Sequence, residues 1–472
     1  MKKPYNLTEG PIITSLIKVA IPIIVANILQ TAYQLTDTFW VGRLGSNAIA
    51  AVSISFPIIF LLISLGGGMA MAGTILVAQF MGKGDKQAVD HITSQTSLMI
   101  WIISICLSIL GFVLSPILIG FMHVETAVYT GAVSYMRITF TGIIFMFSSM
   151  VFQSLMRGVG DVKTPMYIIL GTVLLNLVLD PLFIFGYGIF PALGVGGAAL
   201  ASVGTQAIAA FIGYGILLRG KRQIQLHLRD LKPDYPLIKK MFKIGVPASI
   251  EQSTRAAGMT AMVGLVASFG TLTLAAYGIG SRILSFVIIP ALGLSMATST
   301  LVGQNIGAGK LDRAEKITKL STVGGFIVLT FIGIIMFLLA KQIAAIFIPH
   351  ETATINASAA FIKTMALTFG FIGIQMSLNG VFRGSGNTVF PMVLSIISLW
   401  ILRFPLAYVL SHFTHFAERG IWLSFPIANV IAAIITIIWY KRGTWKLKRI
   451  TDEIVLERGT TEEAIIEEGI NS

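Results

Sequence analysis

Twelve stretches of nearly continuous apolar residues follow one another along this chain, and no other feature constrains its fold as strongly. They run over roughly 12–40, 48–80, 92–120, 131–156, 165–190, 195–218, 238–266, 273–304, 318–347, 358–382, 390–412 and 418–440. A helix crossing about 30 Å of hydrocarbon needs about 20 apolar residues, and each run supplies them. In lipid the backbone must satisfy its own hydrogen bonds, so only helices and closed barrels span. Barrel strands alternate apolar and polar residues over about 10 positions, whereas these runs are continuous and longer. Composition agrees: 12% of the residues are charged and mean hydropathy is +0.84, against about 25% charged in soluble domains. A soluble enzyme and a disordered chain are excluded. The sequence predicts an all-α integral membrane protein with twelve transmembrane helices.

The formal net charge is +13. The cations fall in loops between the runs rather than on one continuous face, which argues for membrane topology and against nucleic acid. One set of loops carries Lys2, Lys3, Lys83, Lys86, Arg157, Lys163, Arg219, Lys221, Arg222, Arg229, Lys232, Lys310, Arg313 and Lys316, while the alternate set holds little beyond Arg43 and Arg419. The positive-inside bias then predicts a multi-pass protein of the inner or plasma membrane with both termini cytoplasmic, which requires an even number of spans. The first run is full-length and lacks a small-residue cleavage site, so it is expected to remain in the mature protein. Thr451–Ser472 reads as a solvated cytoplasmic tail. The single cysteine, Cys106, lies inside an apolar run and excludes an intrachain disulfide.

The chain repeats itself. Lys18-Val-Ala-Ile-Pro22 matches Lys243-Ile-Gly-Val-Pro247 at an offset of 225, and Leu76-Val-Ala-Gln79 to Gly84 matches Leu301-Val-Gly-Gln304 to Gly309 at the same offset. Arg157-Gly-Val-Gly160-Asp161 matches Arg383-Gly-Ser-Gly386-Asn387 at 226. The expected organisation is two six-helix lobes, 1–218 and 238–440, joined by a basic cytoplasmic linker at 219–237 and followed by a tail at 441–472. Six is even, so the repeat is parallel. Such repeats in transporters place the substrate site near the membrane midplane.

No phosphate-binding loop, dinucleotide motif, metal-ligand cluster or catalytic triad stands out, so no cofactor is expected and the chain reads as a non-enzyme whose energy comes from an ion gradient or from none. Function should sit with the few ionisable residues inside the runs, each costing about 2.5–3.5 kcal/mol in lipid. Asn27, Gln30, Gln34 and Asp37 share one face of the first helix by steps of 3, 4 and 3. Asp180 lies on the fifth helix, one turn after Asn176. With both helices running outward, Asp37 and Asp180 fall in the same half of one lobe at similar depth. Paired carboxylates in a low-dielectric cavity raise each other's proton affinity, or bind a small cation; the alternative is plain hydrogen-bonded packing, with Asp180 capping a helix broken at Pro181. In the second half, Glu251 and Arg255 are one turn apart, either a structural ion pair or a substrate contact. Arg255 is the one clear cation of the cavity on this reading. Pro22 and its counterpart Pro247 kink their spans, as a gating bend or a static one.

Together, Lys18-Val-Ala-Ile-Pro22, Gln30 to Asp37-Thr-Phe-Trp-Val-Gly42, Arg157-Gly-Val-Gly160-Asp161 and Asn176 to Asp180-Pro181 resemble the multidrug and toxic compound extrusion (MATE) family, closest to its DNA-damage-inducible F-like prokaryotic branch. The resemblance implies a V-shaped two-lobed fold and export of cationic amphipathic compounds in exchange for H⁺ or Na⁺ by alternating access, by a monomer. It also implies that Asp37 and Asp180 couple the cation, with Gln30 and Asn176 accompanying them, and that a Na⁺ would sit at Asp37, Asp180 and Asn176. Glu251 matches an acid that the sodium-coupled branch uses in its second lobe. The aspartate accompanying it there is missing from Gln375-Met-Ser-Leu-Asn379, so a sodium site in the second lobe is not expected. A flippase for a lipid-linked oligosaccharide or peptidoglycan precursor is the alternative, and it should hold arginines facing pyrophosphate. A membrane-embedded enzyme or channel fits less well.

Overall fold

The computed structural model describes residues 7–187, 191–446 and 450–451. Lys2, Lys3, the end of the fifth run and the tail from 452 onward lie outside the described residues. Every regular element among the described residues is helical. The first half comprises α1 (Ile12–Gly42), α2 (Ser46–Lys83), α3 (Lys86–Gly120), α4 (Thr126–Val159), α5 (Lys163–Pro181) and α6 (Val195–Arg219). The second comprises α7 (Tyr235–Ala267), α8 (Thr271–Gly307), α9 (Leu311–Leu338) with the short α10 (Ala340–Phe347), α11 (Thr352–Ala366) and α12 (Phe369–Gly384), α13 (Val389–Ile396) and α14 (Phe404–His412), and α15 (Glu418–Lys441).

Ten helical stretches are long and apolar enough to span; α11 and α12, bent by 51°, make an eleventh as one broken span. The twelfth is α7, whose Lys239, Lys240, Lys243, Glu251 and Arg255 keep its hydropathy low. The protein is thus an all-α integral membrane protein of twelve spans in two six-helix lobes. Large apolar side chains point outward along the helices, among them Ile105, Ile109 and Val113 on α3 and Ile327, Phe331 and Ile334 on α9. In water such a belt would be an aggregation surface; in a bilayer it is the solvent-facing side.

The repeat motifs are helix–turn–helix joints. Gly160 and Gly386 end α4 and α12 in the left-handed region, at φ 89° and 87°, which a residue without Cβ adopts freely. The next residue then caps the following helix: Asp161 Oδ1 accepts from Thr164 N at 3.1 Å, and Asn387 Oδ1 from Phe390 N at 3.4 Å. Packing repeats as well. Ser154 on α4 donates to Ala70 O on α2 at 2.7 Å. At the matching place Gly380 and Gly384 on α12 let the Ser295 and Ser299 carbonyls of α8 approach where a Cβ would clash. Small residues allow this close contact, which substitutes for a hydrophobic force in lipid. In both halves the fifth span contains a π-helical stretch, Leu182–Gly186 at its end after α5 and Ile397–Arg403 in its middle between α13 and α14.

Two compact units emerge. One contains Val25–Ser249 with Ile450, the other Leu7–Ile24 and Ile250–Arg449. The first part of α1 therefore belongs with the second half's helices, and the first part of α7 with the first half's. Both crossovers fall two residues beyond the matching prolines, Pro22 and Pro247. Within the first unit the segment after α6 is strapped along α3: Asp90 Oδ1 accepts from Gln225 N at 2.7 Å, Gln95 Nε2 donates to Asp230 O and Lys232 O at 2.7 and 2.6 Å, and His91 Nε2 meets Asp234 Oδ2 at 2.9 Å.

Candidate ion-coupling and substrate sites

In the first unit a polar cluster forms where α1, α4, α5 and α6 meet. Asn176 and Asp180 are fully buried on α5, and Asn176 Nδ2 donates to Asp180 Oδ1 at 2.8 Å. From α1, Tyr33 reaches α6, its hydroxyl 2.8 Å from Thr205 Oγ1. One turn later Asp37 is half-buried, with Ser202 in hydrogen-bonding reach of its side chain. Asp37 lies near enough to Asp180 to act on it as a charge, and Tyr135 of α4 feels both carboxylates.

Three buried oxygens of this cluster have no hydrogen-bond partner: Asp37 Oδ1, Asp180 Oδ2 and Asn176 Oδ1. All are acceptors. Burying acceptors without donors is costly, and a shared proton or a small hard cation satisfies them directly. The residues present fit either ion: two carboxylates and an amide oxygen, with hydroxyls nearby. The polar stripe of α1 is less uniform than its spacing suggests. Asn27 is half-buried, with Nδ2 unpartnered, while Gln30 and Gln34 are exposed. Tyr33, Tyr135, Ser202 and Thr205 were not singled out from the sequence. Tyr33 carries a usable signal, one helical turn before Asp37; the other three are brought in only by tertiary packing.

In the second unit Glu251 on α7 is 1% exposed, and its Oε1 accepts from Arg255 Nη2 at 2.9 Å and from Arg383 Nη2 at 2.6 Å. Arg383 stands in the last turn of α12, placed by the Gly380–Gly384 contact with α8. It is the repeat counterpart of Arg157, whereas Glu251 corresponds to Ala26. The triad is therefore specific to this lobe. A cavity beside it is lined by Arg255 and Arg403, by Gln375 and Asn429, and by methionines and Phe425. Arg403 ends the π-helical stretch; its Nη2 donates to Asn429 Oδ1 at 2.8 Å and its guanidinium lies 4.7 Å from the Phe425 ring centre. The expectation that Arg255 is the one clear cation here is corrected. Arg403 joins it in the cavity lining and Arg383 joins it at Glu251. Arg403 lies in the middle of the run 390–412, where its charge is a usable signal, and Arg383 just past the end of the run 358–382.

Comparison with known proteins follows these features closely. The MatE family model matches residues 22–182 and again 247–409, one copy per half. The "Probable multidrug resistance protein YoeA" of Bacillus subtilis (strain 168) is 31% identical over 437 residues, covering 91% of this chain and 94% of its own. A protein named "FAD transporter" from Shewanella oneidensis is 24% identical over 434 residues, covering 92% and 95%. Among solved structures, one described as "MATE in complex with MaL6" superposes with a TM-score of 0.88 at 25% identity, covering 95% of this chain and 100% of that one.

Proposed function

This chain belongs to the MatE family of membrane transporters, and we propose that it is a secondary active multidrug exporter that couples efflux of amphipathic compounds to entry of H⁺ or Na⁺ through Asp37 and Asp180. The observation that carries this reading is the buried acceptor set, Asp37 Oδ1, Asp180 Oδ2 and Asn176 Oδ1, which has no donor of its own. An ion gradient supplies what those oxygens need. Relatives named for multidrug resistance, such as YoeA, support the class of cargo. A cationic amphipath and the coupling ion compete for the same negative region, so binding one expels the other; this is antiport in its simplest form.

Alternating access needs an element that bends. Pro22 removes a backbone donor inside α1 just before the helix changes the unit it belongs to, and we assign it the role of hinge. Asn27 and the exposed Gln30 and Gln34 then provide a polar track along α1 toward Asp37. Both termini are placed on the cytoplasmic side, where the basic loops lie, and one chain holds both lobes, so a monomer suffices.

The test uses purified protein in liposomes, a fluorescent lipophilic cation, and imposed pH or Na⁺ gradients without nucleotide. Uphill dye movement is expected, and Asp37→Asn or Asp180→Asn should abolish it. Full coupled transport by both variants would sink the assignment. Whether the pH or the Na⁺ gradient drives the wild type identifies the ion.

A further inference from the structure

We propose that the cavity in the second lobe lined by Arg255 and Arg403 binds an anionic group, a carboxylate or phosphate, carried on an apolar or aromatic body. The inference deepens the transporter reading by naming a substrate class for this lobe, and it rests on that reading only for the cavity's role in transport.

The charge balance comes first. Two guanidiniums, of Arg255 and Arg383, meet one carboxylate, Glu251, and a third, of Arg403, lines the same cavity as Arg255. Between Glu251 and Glu418 the only other acids are Asp312, Glu315 and Glu351, all at helix starts or in connections outside the spans. Glu251 offers the same oxygen to Arg255 and Arg383 and is itself 1% exposed, so it is committed to them. Arg403 meets no carboxylate among the described residues: its polar contact is the neutral Asn429 amide, and its Nε is buried without a partner. Arg403 and Arg255, charges of the same sign, line one cavity.

Such an arrangement is expensive in a membrane, where an unpaired cation costs about 2.5–3.5 kcal/mol by insertion scales. A purely structural Arg403 would serve α15 equally well as a glutamine or lysine donating to Asn429. What arginine adds is a planar fork of five donors matched to carboxylate and phosphate oxygens. The rest of the lining suits the remainder of such a ligand. Met259, Met365 and Met376 give an adaptable apolar wall, and Phe425 lines the same cavity with the Arg403 guanidinium over its ring. The π-helical stretch Ile397–Arg403 is what brings Arg403 into the cavity; local π geometry of this kind often marks functional positions.

The experiment measures binding of 2-naphthoate, 2-naphthyl phosphate and uncharged 2-naphthamide to the purified full chain by calorimetry, without an ion gradient. Both anions should bind saturably and the amide at least about tenfold more weakly, the range of a charge-assisted hydrogen bond. Arg403→Gln should lower anion affinity about tenfold or more and leave the amide unchanged, while Arg403→Lys should keep part of the anion affinity. Equal binding of amide and carboxylate by wild type, or unchanged anion affinity in Arg403→Gln, overturns the proposal. Because the wild-type comparison stands alone, a variant that does not fold leaves the test decisive. In nanodiscs, displacement of naphthoate by phosphatidylglycerol identifies a lipid headgroup as the anion; displacement only by soluble anions identifies a free solute. Loss of coupled transport in liposomes would count against the Asp37–Asp180 assignment, not against this site.

Discussion

Glu251 is where single-residue chemistry has the largest structural consequence. Its carboxylate holds two guanidiniums in a nearly water-free place, and removing one member of a buried ion group leaves uncompensated charge. Glu251→Gln is expected to cost about 3–5 kcal/mol, read as a clear fall in thermal stability in detergent, with Glu251→Asp in between. Asp37→Asn should behave oppositely. It removes a charge whose buried Oδ1 has no hydrogen-bond partner to orphan, so stability should hold or rise slightly while ion-coupled transport is lost. A Glu251→Gln protein as stable as wild type would show that the triad is not holding the lobe together. The two acids thus separate by assay: one is read in the melting curve, the other in the flux.

Helices in this protein are held by close approach as much as by side-chain volume. A Cβ on Gly380 would fall on the Ser295 carbonyl of α8, and backbone cannot step aside as a flexible side chain can. Gly380→Ala is expected to destabilise by about 1–3 kcal/mol. Gly215→Ala on α6, with nothing near its Cβ position, should be neutral or gain slightly from helix propensity. Equal melting temperatures for the two variants would contradict the packing account. For α1, Pro22→Ala restores a backbone donor at the crossover between units. The expected outcome is unchanged or raised stability with slower dye efflux; undiminished efflux would reduce the proline to a static kink.

The units cut across the chain's linear halves. The first unit's core includes Leu237, Met241 and Ile244 from the start of α7, fully buried against residues of α2, α3 and α4. A fragment of residues 1–218 lacks these side chains, whereas 1–249 keeps them together with the strap along α3. The longer fragment should be recovered as the more stable species in detergent, by size-exclusion profile and melting. Similar behaviour of the two fragments would mean that the first part of α7 adds nothing to that core.

Much of this was legible beforehand. The apolar runs mark all twelve spans, with ends that differ by up to several residues, because lipid demands continuous apolar length. The repeat in Pro22/Pro247, Gly84/Gly309 and Arg157/Arg383 is visible because a left-handed turn, a cap and a kink each require a particular residue at a particular place. Asp37, Asn176 and Asp180 stand out because polar groups are scarce in spans. Periodicity cannot say which helices become neighbours, so Tyr135, Ser202 and Thr205 join the acidic cluster only through packing of α1, α4, α5 and α6. The partners of Arg383 and Arg403 are likewise set by packing, although Arg403, in the middle of the run 390–412, is a cation visible in the sequence. What composition and spacing determined was a twelve-span, two-lobed membrane protein with its rare charges in view. What the tertiary structure alone decided was their pairing: an acidic cluster with unpartnered acceptors in one lobe and an excess of positive charge in the other, since the sign of a buried site depends on which side chains distant segments bring together.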